Sequence, residues 1–140
     1  MIRAVLDPGV LISGAISARG TPAAILGAWY GGDLEIVVCP SLLVELRRAF
    51  AYPKVRRLVP ETDADTLVTV IERAAITLPD PVDVQPVCRD PKDDYLFALA
   101  LEAGAVLVSV DKDVLEATDA GVRVLRPAAL LSIVRGPSDA

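Results

Sequence analysis

The sequence predicts an α/β protein, a three-layer α/β/α sandwich around a mostly parallel central sheet. Three observations carry that prediction. Short apolar runs alternate with helically spaced segments along the chain. The strand-like runs at residues 2–6, 34–39 and 105–110 are poor in charge, as strands covered on both faces must be. Aromatics are only 4% of a chain that is 53% hydrophobic, so the core is built from Val, Leu, Ile and Ala, the usual filling of a sheet between helices. Strands and helices in alternation imply parallel pairing through helical crossovers.

Residues 2–6 form a first strand that ends at Asp7 and is broken by Pro8-Gly9. Thr21 and Pro22, a capping hydroxyl and a proline at the first helical position, start a helix that runs to about Tyr30 and stops at Gly31-Gly32. Residues 34–39 are the next strand. Pro40-Ser41 opens a helix through about Ala51, with Leu42, Leu43, Leu46 and Ala49 on its apolar side; Pro53 ends it, and residues 54–58 make a short further turn. Thr62 with Asp65 resembles a capping box and starts a helix to about Ala75, followed by a short strand or a tail at 76–78. Pro79, Pro81, Pro86 and Pro91 make an extended connector that no helix can cross. Asp93 opens a helix with Leu96, Leu99 and Ala100 on one side, closed by Gly104. A strand at 105–110, a short helix at 113–120, a strand at 122–125 and a helix at 127–134 complete one domain, 1–134, with a loose tail at 135–140. Too little chain follows the prolines for a second core.

Composition excludes several function classes. The chain has no histidine, which removes Ser-His-Asp and Cys-His catalysis and His-ligated zinc. Its two cysteines, Cys39 and Cys88, are too few for a four-thiolate site and read as reduced, buried and structural in a cytoplasmic protein. Met1 leads straight into a strand pattern rather than a signal peptide. No charge-free run reaches the ~20 residues of a spanning helix, so no membrane is expected. Net charge is −5, from 14 basic and 19 acidic residues, which argues against a protein that coats nucleic acid. The distribution is uneven. Residues 46–60 carry Arg47, Arg48, Lys54, Arg56 and Arg57 without one acid, while acids collect at 90–94 and 111–119.

In a parallel α/β sheet, ligands bind beyond the carboxyl ends of the strands, where the strand order reverses. Asp7 directly follows the first strand and Asp111 the strand at 105–110; Asp94 lies at the start of a helix and Glu45 within one. Each has an ordinary structural explanation: turn former for Asp7, helix cap or first-turn anion for Asp94 and Asp111, and a surface pair with Arg47 or Arg48 for Glu45. Together they say more. Carboxylates gathered in one place repel, and a fold tolerates that mainly when a cation neutralises them. All-oxygen ligation suits Mg²⁺ or Mn²⁺, which activate water for phosphodiester hydrolysis without any imidazole.

The motifs D-P-G-V-L-I-S at 7–13, G-T-P-A at 20–23, S-L-L-V-E-L at 41–46, C-R-D-P-K-D-D-Y-L-F-A-L-A at 88–100 and L-V-S-V-D-K-D-V-L at 107–115 give a chain that resembles the PIN-domain nucleases. The similarity is greatest to the VapC-like toxin components of type II toxin–antitoxin pairs, and it extends from Ile2 to about Leu131. The resemblance implies Mg²⁺- or Mn²⁺-dependent cleavage of RNA, a homodimer, and restraint by a cognate antitoxin. It places the family's four acids on Asp7, Glu45, Asp94 and Asp111 as catalytic metal ligands, with Asp93 and Asp113 as additional candidates. Two departures stand out. Pro8 and Gly9 occupy positions where the family carries Thr and Asn, and Ser109 replaces a threonine before Asp111.

Arg47, Arg48, Lys54, Arg56 and Arg57, with Ser109, are candidate contacts to an RNA backbone; a solvated helix face is the structural alternative. Trp29 is expected at a helix–helix or dimer contact, and apolar helix faces at Leu26 and Leu43 suit a dimer. Two competing functions are a catalytically weak PIN-fold module binding RNA or a small protein, favoured by Pro8-Gly9, and a phosphoacceptor signalling domain. The second wants a lysine one strand after its aspartate, whereas Lys112 is adjacent to Asp111.

Overall fold

The computed structural model describes residues 1–117 and 121–136. The chain runs β1 (Arg3–Leu6), α1 (Pro8–Ile16), α2 (Thr21–Tyr30), β2 (Glu35–Val38), α3 (Pro40–Phe50), α4 (Pro53–Arg56), α5 (Glu61–Ala74), β3 (Ile76–Thr77), a 3-10 turn (Pro91–Asp93), α6 (Asp94–Ala103), β4 (Val106–Val108), α7 (Lys112–Glu116), β5 (Val124–Leu125) and α8 (Pro127–Arg135). The five strands form one sheet in the order β3-β2-β1-β4-β5. Every pairing is parallel, as the alternating pattern predicts.

The sheet is held by burial on both faces. Ala4, Val5, Leu6, Ile36, Val37, Val38, Leu107 and Val108 are all essentially inaccessible. Each such Val or Leu contributes about 1.5–3 kcal/mol relative to an exposed one, enough to fix the inward residues of strands this short. Leu11, Ile25, Leu42, Leu46, Ile71, Leu96, Leu99 and Leu130 close the core from the helices. Gly14 lets α1 and α2 approach closely: a β-carbon there would lie 2.8 Å from Leu26 Cδ1 and 3.3 Å from the Pro22 backbone. Gly104 ends α6 in the left-handed conformation, φ 62°, as a helix-closing glycine should.

Several expectations need correction. Pro8-Gly9 ends the first strand as expected but also starts a helix that the sequence reading lacked, α1, with Pro8 in the first turn, where its missing N–H costs nothing, and Asp7 capping. Thr21 and Thr62 are not caps. Gly20 and Pro60 precede their helices without side-chain caps, and Thr66 Oγ1 donates to the Thr62 carbonyl inside α5. The segment at 76–78 is a true strand paired with β2, so the strand at 105–110 is the fourth, trimmed to Val106–Val108. The short helix after Asp111 closes at Glu116, and residues 118–120 of its predicted span lie outside the described residues. The predicted tail begins inside α8, which extends to Arg135; residues 137–140 also lie outside them. Leu26 and Leu43 are buried in the protomer's own core and offer no free face to a second copy. Trp29 is buried too, with Tyr30 stacked obliquely at 5.3 Å. Among the described residues no single helix is long and apolar enough to cross a membrane.

Candidate active site

Strand order reverses between β1 and β4, because β2 and β3 lie on one side of β1 while β4 and β5 lie on the other. The crevice beyond their carboxyl ends is where such a sheet receives ligands. Register delivers two residues to it. Leu6 pairs with Val108, the Asp7 amide donates to the Val108 carbonyl at 3.0 Å, and the next residues in line are Asp7 and Ser109. Ser109 is fully buried, and its hydroxyl donates to Asp7 Oδ2 at 2.9 Å while accepting the Asp111 amide at 3.0 Å. One hydroxyl therefore ties together the ends of both strands. Asp7 Oδ1 accepts the Gly9 amide at 2.9 Å as the cap of α1, and Asp111 Oδ1 accepts the Asp113 amide at 2.8 Å as the cap of α7. The capping roles are real, and they fix each carboxylate at the rim of the crevice.

Glu45 comes from α3, one turn after its start, and Tyr95 of α6 donates its hydroxyl to Glu45 Oε2. Burial, and then the Glu45 carboxylate, push the Tyr95 hydroxyl well above its ordinary range, so it stays protonated and remains a donor. Asp93 ends the 3-10 turn. Its carboxyl is pushed up to about 6, first by burial and then by the charges of Asp7, Asp90, Glu45 and Asp111. Asp93 therefore lies within the field of three carboxylates brought from separate elements.

Asp94 is engaged differently. It is buried, and its Oδ1 accepts the amides of Cys88 at 2.7 Å and Val87 at 3.1 Å, pinning the end of the proline-rich connector onto α6. Of the two adjacent acids, Asp94 thus has one oxygen engaged by two loop amides, whereas Asp93 carries the charge of the other acids. Asp113, whose amide caps onto Asp111, lines a cleft with Val87, Arg89 and Glu116.

The basic stretch divides as well. Arg47 pairs with Glu72 of α5, and the Arg57 side chain returns to the Pro53 carbonyl at 3.3 Å. Arg56 is partly buried with one guanidinium nitrogen unpartnered, and Lys54 is exposed on α4. Arg48 lines a cleft that also contains Glu45. Lys92 lines that same cleft, and sequence reasoning missed it; its position one residue before Asp93 was the available signal. The cysteines are free, as expected. Cys39 is buried and pushed up to about 11, chiefly by that burial, whereas Cys88 is half-buried rather than buried.

The donor set is entirely oxygen, the chemistry of a hard divalent cation. Among the described residues no three acidic or cysteine side chains stand close enough to form a ready ligand cluster. The residue types fit a hard divalent ion, and an ion that keeps several waters needs only one or two carboxylates directly.

A family model described as PIN domain matches residues 3–113. The uncharacterized protein MJ1680 of Methanocaldococcus jannaschii is 26% identical over 118 residues, spanning 84% of this chain and 76% of that protein. Among solved structures, PAE2754 from Pyrobaculum aerophilum superposes with a TM-score of 0.66 at 19% identity, covering 97% of this chain and 91% of that one. FitAcB from Neisseria gonorrhoeae superposes at 0.54 with 18% identity, covering 89% and 98%. Those two likenesses are of fold.

Proposed function

This chain belongs to the PIN-domain family, whose members are generally nucleases, and we propose that it is an Mg²⁺- or Mn²⁺-dependent endoribonuclease. The observation that carries the reading is Asp93, a carboxyl raised by burial and by the converging charges of Asp7, Glu45 and Asp111 at the sheet's switch point. Perturbed acids in a crevice are what a cation site looks like before the cation neutralises it.

Asp7, Glu45, Asp93 and Asp111 would hold the ion. When bound, a divalent cation supplies charge neutralisation and Lewis acidity for phosphodiester hydrolysis. The chain's own residues prepare for it. Ser109 orients Asp7, Tyr95 orients Glu45, and the cap to Asp113 orients Asp111. Asp93 is ionised at neutral pH and gives up a proton below about 6 only against its neighbours' charge. The Pro8-Gly9 departure leaves the Asp7 cap intact, and Ser109 supplies a hydroxyl to the same carboxylate.

The reading as the toxin of a type II pair adds a cognate antitoxin and a homodimer. It is supported by the family match and by the fold likeness to FitAB, whose structure was solved bound to a DNA fragment. Co-expression with the product of a neighbouring gene tests it by copurification. The spacing of the carboxylates favours a second reading, a weakly active or inactive PIN-fold module that binds RNA or a small protein.

Incubation of purified protein with RNA and Mn²⁺, with and without EDTA, separates the two. The endoribonuclease cleaves, stops with EDTA and is disabled by Asp7→Ala. No cleavage by the parent protein, or equal cleavage by Asp7→Ala, would overturn it.

A further inference from the structure

Glu45 also lines a second cleft, of about 450 Å³, beside the acidic crevice. Val44 and Arg48 of α3, Tyr52 at the start of α4, Lys92 and Asp80 form the rest of its working surface. Three features distinguish it. Tyr52 and Val44 are 55% and 54% exposed, an aromatic ring and an apolar neighbour left facing solvent in a protein poor in aromatics. Two cations stand there in a chain of net charge −5. Arg48 forms no salt bridge among the described residues, and Lys92 has only a 3.8 Å surface contact with Asp90. Asp80, the other acid in the cleft, already accepts the Ser41 amide at 2.8 Å, and that bond holds its carboxyl below the usual range. Finally, the cleft shares Glu45 with the acidic site, where the Glu45 charge acts on Asp93, and Lys92 precedes Asp93.

The Tyr52 backbone is fixed, its amide donating to the Ala49 carbonyl at 3.2 Å and its carbonyl accepting the Arg56 amide at 2.8 Å. The ring is thus free on a rigid corner. A matching ligand is flat, apolar on its faces and anionic at one end.

We infer that this cleft is the subsite for the nucleotide adjoining the scissile bond of a single-stranded RNA, its base stacked on Tyr52 and Val44 and its phosphate held by Arg48 and Lys92. The volume suits a ligand of that size. Stacking on an exposed ring needs a base that is not already in a duplex, which selects single strands and tolerates any base. This subsite rests on the endoribonuclease reading for its role, and its binding can be measured without turnover.

The test uses a fluorescently labelled short single-stranded RNA, and the same strand with one abasic position moved along it. Cleavage kinetics are read in Mn²⁺ and binding by polarisation with EDTA. Tyr52→Ala raises KM roughly 5- to 150-fold with kcat near the parent value, and Tyr52→Phe, which keeps the ring face, restores it. Arg48→Ala weakens all sequences alike and flattens the log–log salt dependence by about one. One abasic position weakens the parent protein but not Tyr52→Ala. If the parent cleaves RNA while Tyr52→Ala keeps its KM and suffers equally from every abasic position, the subsite is wrong and the enzyme reading survives. If the parent binds RNA through Tyr52 and Arg48 without cleaving it, the enzyme reading fails and the cleft stands as a nucleotide-binding site. If it does neither, both fail; binding of an acidic peptide in the same cleft would then identify a protein partner instead.

Discussion

The two sides of the acidic crevice are built by different means. On the sheet side, strand register sets Asp7 beside Ser109, and each carboxylate there is held by backbone amides or a buried hydroxyl. On the helix side, a 3-10 turn separates two adjacent acids into opposite duties. Asp94 is buried and spends its charge on two loop amides, whereas Asp93 has no side-chain capping bond and bears the repulsion of its neighbours. A carboxylate satisfied by amides maintains structure. One left under charge pressure at a switch point is available to a cation.

The largest expected effect is on catalysis. Asp93→Asn should lower RNA cleavage in Mn²⁺ by roughly 10²–10³, the scale for removing one preorganised charge-stabilising group. Its metal-free stability should match or exceed the parent's, because a repulsive charge is gone. Equal activity in Asp93→Asn would break the comparison.

Asp94→Ala should act in the opposite manner. Two amides lose their acceptor, at a cost of about 2–4 kcal/mol in urea denaturation. For a chain of this size that is a fall in Tm of about 5–15 °C. An unchanged Tm would mean that the connector is held by something other than this carboxylate.

Tyr95→Phe should weaken Mn²⁺ affinity about tenfold by freeing Glu45, with little change in fold, since the ring remains packed. The readout is the Mn²⁺ concentration giving half-maximal cleavage. No change there would remove Tyr95 as a positioning residue.

The smallest effect is in pH dependence, and its sign follows from Asp93. Its folded value, about 6, lies above the ordinary 3.8, so between those values the folded state holds more protons than the unfolded one. The Asp93 contribution to metal-free stability therefore falls as pH rises from about 4 to 6, and it is isolated by comparing the parent with Asp93→Asn. Mn²⁺ affinity moves the other way, rising towards pH 6 and levelling above it, because binding must displace that proton. Thermal unfolding with and without Mn²⁺ across this range checks both directions.

Much of this arrangement was legible in the sequence. The charge-poor runs at 2–6 and 105–110 placed Asp7 and Asp111 at strand ends, because burial on both faces excludes charge. What sequence could not give was orientation. Asp93 and Asp94 differ in partners, loop amides for one and neighbouring charges for the other, and no periodicity reports that difference. The first helix was missed because Pro8-Gly9 reads as a breaker, although proline in a first turn after a capping aspartate is a helix start. The basic stretch misled in the same way. Arg47 turns to Glu72 while Arg48, its neighbour, turns to the cleft.

Calorimetric titration of Mn²⁺ into Asp93→Asn and Asp94→Asn tests the assignment most directly. The crevice described here predicts that Asp93→Asn loses Mn²⁺ binding while remaining stable, and that Asp94→Asn is less stable yet still binds. Retained binding in Asp93→Asn together with loss in a folded Asp94→Asn would contradict it.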